Sequence, residues 1–324
     1  MAVMVSQREV LAQDMLQAWL RYDELLARHT TFRIGGPADL FVTAESEEEL
    51  LALVTWAREQ GMDFLLLGAG SNILVSDRGV RGLVILNRAS EAHFIPYEET
   101  VPWTDRQGRL HAASGASLSR LARQAVQRGL GGLEWAVGIP GTVGGAIVQN
   151  AGAHGSCIAD VVLQARVMDE GGLVRTLCPE ELALGYRTSH FRRGRAENPA
   201  EVILSADLEL TPQPQEELEA RMAEYFAQRR VTQPWLPSAG SVFKNPPGDY
   251  AGRLIEAAGL KGMRQGDAMI APEHANFIVN VGKARASDVK ALIDRARRAV
   301  ARRFGVELEL EIQLVGDWHE SCNA

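Results

Sequence analysis

The segment Gly138-Ile139-Pro140-Gly141-Thr142-Val143-Gly144-Gly145-Ala146, followed by Gln149-Asn150-Ala151-Gly152-Ala153, constrains this chain more than any other stretch. Five of its first nine residues are glycine or proline. A run so poor in side chains buries no core of its own, so its value lies in the backbone it exposes. Glycine reaches positive φ and lets another group come close to the amides. Successive N–H groups then form a concavity for phosphate or for polar ring edges. A second turn of the same kind, Gly68-Ala69-Gly70-Ser71-Asn72, separates the apolar runs Phe64–Leu67 and Ile73–Val75. Two such turns suit a long ligand with a diphosphate and a ring system. Neither matches a familiar nucleotide fingerprint. A dinucleotide loop starting at Gly68 needs glycine where Ile73 stands, and a P-loop needs a lysine that is absent between Gly131 and Gly155. Taken singly, each loop also reads as a plain tight turn.

The 324 residues leave room for two or three domains with substantial cores. A net charge of −7 argues against a broad basic face for nucleic acid, so an anionic ligand must be met by a local basic cluster. The three cysteines, Cys157, Cys178 and Cys322, lack metal or redox spacing, which fits a reducing compartment and no metal site. There is no apolar run of about 18 residues and no basic-then-apolar leader, so the expectation is a soluble cytoplasmic protein.

Apolar spacing predicts a helix over Val10–Leu26 and a better one after Ser46, where Ser46-Glu47-Glu48-Glu49 resembles a capping box. Phe64–Leu67 and Leu83–Leu86 read as strands, and Leu118–Gln127 as a short helix ending at Arg128-Gly129. Val161–Met168 and Leu173–Leu177 read as strands joined by the hairpin Asp169-Glu170-Gly171-Gly172, with a further strand at Val202–Leu210. Thr211-Pro212-Gln213-Pro214 is the clearest linker. Helices are predicted over Glu216–Arg230, Gly252–Ala258 and Ser287–Phe304, and a closing strand over Val306–Val315. The mixture is α+β, without internal repeats.

Three polar groups stand in apolar or small-residue company. Tyr186-Arg187-Thr188-Ser189-His190-Phe191 sets an arginine beside aromatic and hydroxyl groups, although a lone arginine is usually solvated. In Ser238-Ala239-Gly240-Ser241-Val242-Phe243-Lys244-Asn245-Pro246, small residues expose Ser241, which has no nucleophile elbow and no triad and also reads as a turn serine. Alternation in Leu308–Val315 puts Glu309 and Glu311 on one strand face, opposite Leu308, Leu310 and Ile312; a solvated face is the plain alternative.

These segments together resemble the UDP-N-acetylenolpyruvoylglucosamine reductase family, the flavoenzymes also called UDP-N-acetylmuramate dehydrogenases. The resemblance runs from Thr30-Thr31-Phe32-Arg33-Ile34-Gly35-Gly36 to Gly316. Its markers are Gly68–Leu74, Gly138–Gly145, Tyr186–Phe191, Gly240–Pro246, Ala251–Lys261 and His274-Ala275-Asn276-Phe277-Ile278-Val279-Asn280. It implies a two-subdomain FAD-binding unit, of the PCMH or vanillyl-alcohol-oxidase-like kind, and a C-terminal α+β substrate domain. The boundaries would be 1–88 for the first FAD subdomain, with the C-terminal tail returning to it, 89–213 for the second, and 214–316 for the substrate domain. It further implies non-covalent FAD, NADPH as co-substrate, and reduction of UDP-N-acetylglucosamine-enolpyruvate to UDP-N-acetylmuramate in peptidoglycan precursor synthesis. No nucleic acid, membrane or obligate protein partner is implied.

By the same resemblance, Arg187, Ser241 and Glu311 are catalytic, with Ser241 the proton donor. The FAD diphosphate would lie on Gly68, Ala69, Gly70, Ser71 and Asn72 and on Gly138, Ile139, Pro140, Gly141, Thr142, Gly144 and Gly145. The flavin ring would lie near Asn150, Ala151, Gly152 and Ala153. Tyr186, Lys244, Asn245 and Arg253 are the expected substrate contacts. Two departures stand out: Thr30 replaces the usual asparagine, and Leu310 replaces a proline between two glutamates. The short span from Arg187 to Ser241 resembles the shorter family type, which lacks an inserted substrate-covering loop and its tyrosine. Two alternatives stay open: an alcohol oxidase on the same flavin fold, with His154 or Cys157 placed to hold flavin covalently, and a non-catalytic nucleotide-binding module.

Overall fold

The start signal at Ser46 caps its helix, but the reciprocal half of the expected box lands one residue early. The Ser46 hydroxyl accepts the Glu49 N–H at 3.2 Å, while the Glu49 carboxylate reaches back to the Glu45 N–H at 2.6 Å. The computed structural model of the chain describes residues 7–95, 108–193 and 196–318. It divides into two compact units. The first holds Met1–Leu20, Val42–Ala69 and Val84–Arg229; the second holds Arg21–Phe41, Gly70–Leu83 and Arg230–Ala324.

In the first unit, α1 (Gln7–Trp19) packs on α2 (Glu47–Glu59), whose Leu50, Leu51, Leu53, Val54 and Ala57 are buried. The predicted helix Val10–Leu26 ends early: α1 stops at Trp19, and Arg21–Leu25, already part of the second unit, is a strand paired antiparallel with Pro37–Phe41. That strand is largely exposed, so no alternation marks it, and its partner lies across a loop that periodicity does not see. The main sheet has the order Val174–Leu177, Val162–Met168, Val202–Pro212, Gly108–Ala113 and Ala92–Ile95, all antiparallel. The hairpin at Asp169–Gly172 closes through Gly172 N–H to Asp169 C=O and Leu173 N–H to the Asp169 carboxylate. Over this sheet lie α3 (Leu118–Val126) and α4 (Val143–Gln149), burying Leu121, Val143 and Ile147 with Trp135, Leu110 and Leu208. A short α5 (Pro179–Leu182) follows, and α6 (Gln215–Thr232) belongs to this unit as far as Arg229. The expected linker Thr211–Pro214 is half strand: Thr211 pairs with Gly131 and Pro212 with Leu130. Proline is tolerated where a strand meets only a two-residue partner, because little of the ladder depends on its missing N–H.

In the second unit, the antiparallel sheet has the order Ser238–Ser241, Phe277–Asn280, Ala268–Ile270, Arg264–Gln265. With α7 (Ala251–Ala257) and α8 (Ala286–Phe304) it encloses Phe243, Leu254, Ile278, Val289, Ile293, Leu308 and Ile312. The predicted strand Val306–Val315 is regular only over Gln313–Val315, which runs parallel to Ile73–Val75. Upstream, the alternation holds only in part: Leu308 and Ile312 are buried and Glu309 exposed, while Leu310 and Glu311 are both half-buried. There, one bridge between Leu310 and Phe243 takes the place of a ladder.

The start of α8 is held from outside the helix. Asp77 accepts the Ala286 N–H at 2.7 Å on one carboxylate oxygen and the Ser287 N–H at 3.0 Å on the other. These are two of the donors a helix leaves unpaired at its start, and the negative charge also suits the helix dipole. Asp77→Ala should lower the unfolding free energy by about 0.5–2 kcal/mol, the usual range for loss of an N-terminal cap. Urea unfolding with an unchanged slope and a lower midpoint is the expected result.

Candidate active site

The glycine segment of the first unit is locked to its surroundings by close backbone approach. Leu118 N–H donates to Gly141 C=O at 3.1 Å, Val143 N–H to Ala116 C=O at 3.0 Å, and Gly144 N–H to Ser114 C=O at 2.8 Å. A Cβ at Gly144 would sit 2.9 Å from the Ser114 Cβ, and one at Gly68 would sit 2.8 Å from Thr142 Oγ1. Gly68 and Gly144 of this unit therefore have to be glycine. Thr142 caps α4, accepting the Gly145 N–H at 3.2 Å, and Gly138 N–H donates to Ser119 Oγ at 2.9 Å. Several of the amides expected to face a diphosphate are thus engaged within the chain.

At the end of α4, Asn150 takes the left-handed conformation, φ 42°. Its side chain donates to Gly185 C=O at 2.8 Å and accepts Ala159 N–H at 3.2 Å. Gly185 and Thr188 exchange backbone hydrogen bonds, which makes Tyr186 and Arg187 the tip of a two-residue turn. Ser189 Oγ pins the other side of that turn to Val148 C=O at 2.7 Å. Arg187 is itself left-handed, φ 51°, a conformation that costs a non-glycine residue about 1–3 kcal/mol and persists only where the surroundings impose it. Its guanidinium donates to Gly152 C=O at 2.8 Å and to Asn150 C=O at 3.4 Å. The structure thus brings Arg187 together with Asn150–Ala153, while Tyr186 stands exposed beside it.

The second unit brings Ser241 and Glu311 together through their backbones. Pairing of Ser238 with Val279 and of Ser241 with Phe277 leaves one extra residue in the serine strand, and Gly240 absorbs it at φ 76°. Such a bulge re-aims the residue that follows it. Beyond Ser241, Glu311 N–H donates to Val242 C=O and Lys244 N–H to Glu309 C=O, each at 2.9 Å. These bonds flank the Phe243–Leu310 pair, so the Leu310 N–H takes no part in the bridge. A proline at that position would cost no ladder bond. Asn72 completes the site: its side chain donates to Glu311 C=O at 3.2 Å and its C=O accepts Gln313 N–H at 3.0 Å. Gly70 of the same turn lies against the chain at His29 and Thr30, where a Cβ would come within 2.2 Å of the His29 C=O. Thr30, the other departure, is buried and its hydroxyl holds Ile34 C=O at 2.9 Å, a local turn contact.

The remaining expected contacts are engaged locally. Lys244 pairs with Glu309 at 2.5 Å, Asn245 accepts Ala251 N–H at the start of α7 at 3.0 Å, and Arg253 grips Asp249 through two nitrogens. That grip holds the Asp249 carboxyl at about 2. His154 stacks on Tyr225 with centroids 4.1 Å apart, and burial together with the Arg229 charge lowers its pKa. Burial first, and then the Asp160 carboxylate, raise the Cys157 thiol. Among the described residues, no cluster of three His, Cys, Asp or Glu could hold a metal, and no helix is long and apolar enough to cross a membrane.

Sequence reasoning missed Asn72 as a brace for Glu311, and also the part played by Asn276. The carboxamide of Asn276 accepts Phe243 N–H at 3.0 Å and donates to Phe243 C=O at 2.8 Å. The available signal was an asparagine inside the apolar run Ala275–Val279, since a buried amide requires partners.

Residues 38–177 match the family described as FAD binding domain, and residues 231–315 match UDP-N-acetylenolpyruvoylglucosamine reductase, C-terminal domain. The chain is 48% identical over 298 residues to UDP-N-acetylenolpyruvoylglucosamine reductase 2 of Symbiobacterium thermophilum, covering 92% of each. It is 46% identical over 308 residues to the reductase of that name from Moorella thermoacetica, covering 94% of this chain and 96% of that one. The solved UDP-N-acetylenolpyruvylglucosamine reductase of Thermus caldophilus superposes with a TM-score of 0.73 at 40% identity, covering 92% of this chain and all of that one.

Two outcomes are expected. Gly68→Val drives its side chain into Thr142, so the purified protein should carry much less flavin, read as visible absorbance relative to protein. The second concerns His274, whose pKa lies below the ordinary imidazole value because of burial, reinforced by the Lys261 charge. The unfolded chain therefore takes up that proton first, and stability is lost as pH falls through about 6.5. The denaturation midpoint should drop between about pH 7.5 and pH 5.5, and the drop should be shallower in His274→Gln.

Proposed function

Because the chain belongs to the UDP-N-acetylenolpyruvoylglucosamine reductase family, we propose that Arg187, Ser241 and Glu311 divide the chemistry of its reaction among them. That reaction is the FAD-dependent reduction of UDP-N-acetylglucosamine-enolpyruvate to UDP-N-acetylmuramate in peptidoglycan precursor synthesis. The reading assigns NADPH as the reductant and, from its nucleotide substrates, the cytoplasm as the location. The match of residues 38–177 to an FAD binding domain supports FAD, and the close packing of Gly68 on Thr142 and of Gly144 on Ser114 fixes the path of the two turns that would face it. Gly68–Asn72 and Gly138–Gly145 would hold the cofactor's diphosphate, and Asn150–Ala153 would lie by its ring.

Bound FAD supplies the hydride. Addition of hydride to the terminal carbon of the enolpyruvyl group leaves negative charge on the carbon bearing the carboxylate and ether. Arg187 meets that charge, because a guanidinium stays cationic and binds a carboxylate through two parallel donors. Its turn is rigid before substrate arrives, so little reorganisation opposes the transition state. Ser241 delivers the proton to the α-carbon. A hydroxyl is a weak acid, but the carbanion is a strong base, so placement matters more than acidity. Glu311, braced by Val242 and Asn72, shares a proton with the enolic oxygen. Lys244, Asn245, Arg253 and Tyr186 are assigned to the substrate, with Lys244 and Arg253 exchanging their present carboxylate partners for its diphosphate. One observation carries this assignment: the bond from Glu311 N–H to Val242 C=O sets the two acid-bearing residues on neighbouring backbone.

The two half-reactions separate the roles. Ser241→Ala should be bleached by NADPH at the wild-type rate, yet reoxidise about 10²–10⁴-fold more slowly when the UDP-substrate is added. Glu311→Gln should slow the same step less, because glutamine still donates a hydrogen bond. Rapid reoxidation in Ser241→Ala with a dead Glu311→Gln would reverse the assignment.

A further inference from the structure

The motif His274–Asn280 belongs to neither glycine turn and holds none of the three assigned catalytic residues. Asn276 is 3% exposed and Phe243 is 1% exposed. The backbone C=O of Asn276 accepts Val242 N–H at 2.8 Å, and its side chain then takes both polar groups of Phe243. Pairing between Ser238–Ser241 and Phe277–Asn280 ends at Ser241 opposite Phe277. Val242 still meets backbone through that Asn276 C=O, but at Phe243, two residues past Ser241, the carboxamide supplies the peptide group that a strand neighbour would. On the other side of Val242–Lys244 lie Glu309–Glu311. The segment leaving the Gly240 bulge is therefore the middle member of three, and one of its two neighbours is a side chain. The Asn276 N–H in turn donates to His274 Nδ1 at 3.2 Å.

We propose that Asn276 is the positioning residue for the Ser241 hydroxyl: by clamping Phe243 it sets where the bulged strand places the proton donor relative to Glu311. A hydroxyl that must hand over its proton along one direction tolerates little displacement, and about 1 Å of misplacement costs about 10²-fold. Water does not readily replace the clamp at this depth, since both residues are buried. The inference rests on Ser241 being the proton donor, so Ser241→Ala is measured in the same experiment.

The test uses FAD-loaded protein in stopped flow, with rates expressed per bound flavin. Asn276→Ala should be reduced by NADPH as fast as wild type but reoxidise about 10- to 100-fold more slowly with saturating UDP-substrate. The solvent deuterium isotope effect on reoxidation should rise, because proton delivery becomes limiting. Wild-type reoxidation, or equal slowing of both half-reactions, overturns the proposal. Asn276→Asp decides the matter if the alanine variant does not fold. Ionised aspartate accepts Phe243 N–H but cannot donate to its C=O, whereas the protonated acid does both. Its reoxidation rate relative to wild type should therefore recover as pH falls, and a flat ratio overturns the proposal. Fast reoxidation in Ser241→Ala removes the donor assignment and this inference with it. Slow Ser241→Ala beside fast Asn276→Ala removes the inference alone.

Discussion

The left-handed turn at Asn150 is the contact on which the first unit's site depends. The helix α4 is only seven residues long, and its packing on the core does not by itself fix where it ends. Asn150 ends it there, and its carboxamide reaches Gly185 on one side and Ala159 on the other. Its carbonyl lies under the Arg187 guanidinium. One residue thus sets the glycine segment, the arginine turn and the loop after Gly155 in a single arrangement. The cost of two left-handed non-glycine residues, Asn150 and Arg187, is offset by these bonds and by the Ser189 anchor.

The second unit uses the same chemistry at other places. Asn72 braces Glu311, Asn276 clamps Phe243, and Asn280 joins Phe32 C=O to the Gly282 and Ala284 N–H groups. An asparagine side chain carries a donor and an acceptor in nearly the geometry of a peptide bond. It can therefore stand in for a strand neighbour where the chain turns away. Buried polar groups paired in this way fix one arrangement, because each alternative leaves an amide unsatisfied in an apolar core.

Much of the molecule was legible from local pattern. The capped helix at Ser46, the hairpin at Asp169, the helices after Pro214 and Arg285, and the family motifs all follow from residues near one another in the chain. Three elements did not. Val10–Leu26 breaks at Trp19 because residues 21–25 find a strand partner at Pro37–Phe41. Thr211 and Pro212 are drawn into pairing with Leu130 and Gly131, and upstream of Gln313 the closing segment is held at Glu309 and Glu311 by single backbone bonds to Lys244 and Val242. In each case the deciding partner is distant in sequence, and long-range pairing overrides local propensity.

The sequence by itself determined the chemistry on offer. It contains two glycine turns, an arginine beside an aromatic residue, a serine among small residues, and a glutamate among alternating apolar residues. It determined the family too, through the order of six motifs. Only the tertiary structure decided how those groups are held. The Gly240 bulge, the left-handed Arg187 turn and the carboxamide braces at Asn72, Asn150 and Asn276 are invisible to periodicity. Their partners lie from nine residues away, for Asn150 and Ala159, to 239, for Asn72 and Glu311. Whether an asparagine amide meets water or a distant backbone is settled only once the chain has closed around it.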